Sequence, residues 1–282
     1  MGLIKLTNQF DTLKYLGPYV SQPYVAELCD FVERVWEIYR QHATDFGGVK
    51  HGSLGYLVVR MMYIAEVTSN GIRLNATWDL IPAAMSLLRD RYEQTVRFSW
   101  LVRNPDEEEF LKYERAIIGK MNALVRNADP ATVQRFAEKM GPIPSWVTEP
   151  LSKEDRAYLD AWNSLDLKSM AQKRDAFPPI TDTPLAKRGL ASWYNSVYAQ
   201  FSSVSHYDRY SIEMVRPEEN EDGTVALSFL PHWLPLLISY TAYLDMIQCS
   251  EVTQVCFKQQ TSIRFESLFL EWLPLANKFE IE

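Results

Sequence analysis

Residues 77–103, TWDLIPAAMSLLRDRYEQTVRFSWLVR, decide the fold class. At about 100° per residue, Met85, Leu88, Tyr92 and Val96 fall on one stripe, at the three- and four-residue spacing of an amphipathic helix. The run halts at Asn104-Pro105, where Pro105, Asp106 and glutamates 107–109 open a further helix with negative charge at its positive end. A helix over Thr77 to Arg103 is long enough to organise a core.

The same periodicity extends outward in both directions. A helix is expected after Ser21 and Pro23 as far as about His42, with Val25, Leu28, Phe31, Val32, Val35, Ile38 and Tyr39 on one side. A second is expected from Ser53 to Ser69, stopped by Asn70-Gly71. Downstream, the fourth helix reaches about Val125 and a short one spans Ala131 to Lys139. The loop GPIPSWVTEP follows, and Ser152 with Asp155 then has the spacing of a capping box for a helix to about Trp162. AFPPITDTP, residues 176–184, is the most linker-like stretch, and a helix from Leu185 to His206 is expected after it. IEMV and TVALSF flank EENEDG between Ile212 and Leu230, the pattern of a two-stranded hairpin. Helices over Pro235–Gln259 and Ser262–Lys278 close an all-α, multi-helix bundle. A single domain over 1–282 is expected, with any subdivision near 176–184.

Composition narrows the function classes. Lys plus Arg number 29 against 36 Asp plus Glu, a formal charge of −7, which argues against a footprint for duplex DNA or anionic lipid. Phe229–Ile247 is the most apolar stretch, but Pro231, His232, Pro235 and Asp245 interrupt it, so no membrane span is expected. Three cysteines, Cys29, Cys249 and Cys256, without CxxC spacing, suit a reducing, cytoplasmic setting rather than a disulfide framework. No secretion signal is read at the N-terminus. No E-x-x-H or H-E-x-x-H occurs, so neither a metal site nor a cofactor is expected. The last two helices look apolar over much of their circumference, which suggests a homodimer.

A few polar residues sit where apolar ones are expected. Arg89 falls inside the apolar stripe of the long helix, with Glu93 one turn on as its nearest candidate partner. On the later helix, Asn195, Tyr198, Ser202 and His206 share one side with Ser192 and Ala199. Trp193, Tyr194, Val197, Phe201 and Val204 take the other.

The combination LLRDRYEQTVRFSWLVRNPD, with R-x-x-x-E, and YAQFSSVSH, with Y-x-x-x-S-x-x-x-H, resembles a bacterial all-helical family of unknown function over roughly Leu74 to Tyr210. The resemblance implies an all-α fold and marks Arg89, Glu93, Ser202 and His206. A more distant likeness is to helical nuclease domains of toxin and defence systems, which cleave RNA with an R-x(4-6)-H motif. No arginine stands at that spacing before His42, His51, His206 or His232, so Arg89 would have to be supplied from another helix.

Three readings stay open at this point. In the first, a phosphoester, RNA-directed hydrolase in a phage-defence context, His206 moves protons, Arg89 neutralises phosphate, Glu93 orients Arg89, and Ser202 binds or attacks. In the second, a module binds a small anionic or nucleotide-like ligand with the same groups plus Tyr198, Asn195 and Tyr92. In the third, the polar residues are a satisfied buried network without catalytic function.

Overall fold

The computed structural model describes residues 15–45, 54–104, 108–141, 150–205, 215–219, 224–229, 233–255 and 262–278. Over these the chain is helical apart from one antiparallel strand pair, in which β1 (Val215–Glu219) and β2 (Val225–Phe229) join Val215 to Phe229 and Glu219 to Val225. The helices are α1 (Val25–Asp45), α2 (Leu54–Thr77), α3 (Ile81–Arg103), α4 (Glu108–Asn127), α5 (Pro130–Met140), α6 (Lys153–Asn163), α7 (Leu167–Ala176), α8 (Gln200–Ser205), α9 (Trp233–Val255) and α10 (Ser262–Ala276).

Two compact units emerge. One takes the chain up to Arg103 and resumes at Ala171; the other is Asn104–Met170. The boundaries fall at the end of α3 and inside α7, ahead of the proline-rich stretch at 176–184.

The first unit is built around α9. From Trp233 to Thr253 every residue but Tyr240 is buried, because this helix is apolar on nearly all sides and packs on α1, α2, α3 and α10 together. The apolar circumference of α9 is thus covered by helices of the same chain, whereas on α10 Ile263 and Leu270 remain exposed.

Two expected boundaries are corrected. Asn70-Gly71 does not end α2, which runs on to Thr77. A Cβ at Gly71 would lie 3.1 Å from Leu87 Cδ1, so the glycine serves the close approach of α2 to α3, and packing outweighs the roughly 1 kcal/mol it costs a helix. The turn comes later, at Trp78–Leu80, with Asp79 in the left-handed region at φ 62° and Pro82 in the first turn of α3.

The expected helix from Leu185 is also shortened. Turns and bends occupy residues 180–192, and a π-helical turn, Tyr194–Ala199, leads into α8. The Asp175 carboxylate accepts from the backbone N–H groups of Leu190 and Ala191, each at 2.8 Å, and fixes this junction. Gly189 beside it leaves the needed room: a Cβ there would lie 2.7 Å from Asp175 Oδ2.

Within the second unit α4 packs on α6. Ser152 caps α6 by accepting from Asp155 N at 3.0 Å and donating to Asp155 Oδ2 at 2.7 Å, as the sequence spacing predicts. Asp129 caps α5 in the same way, through Thr132 N at 3.0 Å.

Candidate anion site on α3 and α8

Two arginines two residues apart on α3 point in opposite senses, as about 200° of helical rotation requires. Arg91 is fully buried, whereas the side chain of Arg89 keeps 26 % exposure. Of these two, the inward-facing guanidinium is therefore Arg91, not Arg89.

Arg91 belongs to a buried polar seam between α3 and α9. Its Nε and Nη2 donate to Asp245 Oδ1 at 2.9 and 2.7 Å, and Nη1 donates to Thr95 Oγ1 at 2.7 Å and to Gln248. Asp245 also accepts from Ser69 Oγ and from Trp36 Nε1, each at 2.8 Å. Farther along, Glu251 accepts from Ser99 and from Arg174, whose Nε reaches Ser99 Oγ at 2.7 Å. Residues four apart on α3 (91, 95, 99) meet residues three apart on α9 (245, 248, 251), so each turn of one helix finds a polar partner on the other. The sequence signal for this seam was Asp245 itself, a carboxylate inside the most apolar helix that demands a buried cation. Arg91 and Asp245 have no exposure, so the seam is closed to any ligand arriving from solvent.

Arg89 lies at the surface end of a different contact. Its Nε donates to Ser202 Oγ at 2.8 Å, Nη2 to Tyr198 OH at 3.0 Å and Nη1 to Asp90 Oδ1 at 2.8 Å. Its Cζ stands 4.7 Å over the Tyr198 ring, which is stacked on Tyr194 at 5.2 Å. Tyr198 belongs to the π-helical turn, and Ser202 to α8 immediately after it. α3 and the late helix thus converge on one guanidinium, and wide turns of this kind recur at functional sites.

The other sequence candidates fall differently. Glu93 does not hold Arg89; it pairs with Arg97 at 2.9 Å, the i+4 partner on its other side. Tyr92 is fully buried and donates to Leu190 O at 2.7 Å, and burial pushes its phenol well above the usual range, so its hydroxyl hydrogen is spent on the junction. Asn195 is exposed. His206 lies outside the described residues. Among the described residues no group of three or more His, Cys, Asp or Glu side chains is placed to hold a metal ion, and no helix is long and apolar enough to cross a membrane.

A small pocket, with room for about one water molecule, lies between Ile180, Leu185 and Ala186 on one side and Ile247, Ser250, Glu251 and Gln254 on the other. It takes in neither Arg89 nor Ser202; Arg89 meets solvent through the 26 % of its side chain that stays exposed.

Donor arithmetic defines what the Arg89 site can do. A guanidinium has five N–H groups; three are spent on Ser202, Tyr198 and Asp90, leaving one on each terminal nitrogen without an acceptor among the described residues. Both hydroxyls accept from Arg89, and neither of their hydrogens meets an acceptor among the described residues. Compared with known families, curated proteins and solved structures, the chain finds no match.

Proposed function

We propose that this protein is a helical module that recognises a small anionic ligand at Arg89, Tyr198 and Ser202. The single observation carrying this reading is the pair of hydroxyls that accept from one partly exposed guanidinium and keep their own hydrogens to donate. A hydroxyl accepting from a cation is polarised toward donating, and four such donors around one positive charge favour an oxyanion.

Calorimetry with inorganic phosphate and a panel of nucleotides tests this on the full chain, with thermal shift as a second readout. Arg89→Ala is expected to abolish binding. Arg89→Lys, which keeps the charge but not the planar fork, is expected to lose most of it. Binding that survives both substitutions, or no binding by any anion tested, overturns the reading. Hydrolysis of a bound phosphoester would also need a proton carrier. His206→Ala in an RNA-cleavage assay distinguishes turnover from binding alone.

A further inference from the structure

Among the described residues Asp90 is the one carboxylate on Arg89, and its attachment differs in kind from that of the two hydroxyls. Consecutive helical residues lie about 100° apart and do not face each other, so Asp90 reaches Arg89 only by its tip. Its side chain is 52 % exposed. Ser202 and Tyr198 approach from another helix and bond Nε and Nη2, the two nitrogens of one guanidinium edge, while Asp90 sits on Nη1. The Tyr198 ring under Cζ adds a further hold. If Asp90 swings into solvent, Arg89 therefore stays in place.

We infer that Asp90 is a displaceable counter-ion, and that the ligand exchanging with it is a phosphate monoester rather than a carboxylate. This rests on the anion-binding reading above. The hydroxyl hydrogens of Tyr198 and Ser202 and the free N–H groups of Arg89 are donors on different atoms around one charge. A planar carboxylate offers two oxygens to them. A phosphate monoester offers three terminal oxygens in a tetrahedral array and is mostly a dianion at neutral pH, so it can meet both hydroxyls and the arginine at once. Asp90 touches neither hydroxyl, so it competes for the charge but not for the remaining donors.

The experiment titrates the full chain and its Asp90→Asn variant with phenyl phosphate and with benzoate, matched in ring size. Phenyl phosphate is expected to bind about tenfold or more tightly, the value of one extra charge-assisted hydrogen bond. An exposed ion pair resists displacement by no more than about fivefold, so Asp90→Asn is expected to tighten phenyl phosphate binding by up to that factor. Asp90 is exposed, so the variant is expected to fold, and its melting curve checks this. Equal affinity for the two probes, or weaker phosphate binding by Asp90→Asn, overturns the inference while the anion site stands. Failure of both probes on both proteins sinks the site itself.

Discussion

Replacing Asp245 by alanine strips Arg91 of its only carboxylate among the described residues while the guanidinium stays sealed from water. Four hydrogen bonds end on that carboxylate, two from Arg91 and one each from Ser69 and Trp36. Counted separately at about 1.5–3 kcal/mol for a charged partner, they overshoot, because bonds sharing one acceptor are not additive. The better guide is the cost of orphaning one member of a buried pair, about 3–5 kcal/mol, a third or more of the stability of many domains. Urea denaturation followed by circular dichroism is expected to show that loss with an unchanged slope. The double variant Arg91→Met, Asp245→Leu removes both charges and is expected to recover most of it. An Asp245→Ala protein within about 1 kcal/mol of the parent, or a double variant no better than the single, refutes this account of the seam between α3 and α9.

Two further outcomes follow from local geometry. Gly189→Ala places a Cβ 2.7 Å from Asp175 Oδ2 and forces the carboxylate off Leu190 and Ala191. A loss of about 2 kcal/mol in urea denaturation, with weaker phosphate binding because the junction carries Tyr198, is expected; unchanged values on both counts refute it. Asp155 is held below the usual carboxylate range by its bonds to Ser152 and then Arg115. A depressed acid stabilises the fold above its unfolded pKa of about 3.9 and loses that contribution as pH falls through the folded value. Carboxyl NMR titration of Ser152→Ala is expected to show Asp155 moving up, and an unmoved titration contradicts the cap as its cause.

Much of this architecture was legible because hydrophobic spacing alone decides which segments are helices. The Ser152 cap and the all-helical class follow from local rules, and so does the identity of α9 as an apolar core helix. Arg89, Tyr198 and Ser202 were legible as candidates because polar groups at helical spacing stand out against apolar neighbours. Their convergence was not legible, nor was the choice between Glu93 and the hydroxyls as the partners of Arg89. An i+4 rule sees only one helix, and here Arg97 claims Glu93 while the partners come from residues more than a hundred positions away.

The inward arginine shows the same limit. Arg89 and Arg91 sit in one stretch of sequence, and the helical wheel ranks them by their own neighbours, whereas burial is set by where α9 lies. The sequence by itself determined that the chain would be helical and where most helices would run, because backbone propensity and apolar spacing are properties of neighbours along the chain. Only the tertiary structure decided that Arg91 would meet Asp245 in a sealed seam and Arg89 would meet two hydroxyls at the surface. Those pairings depend on which helices pack together, and packing is settled by the whole set of faces at once.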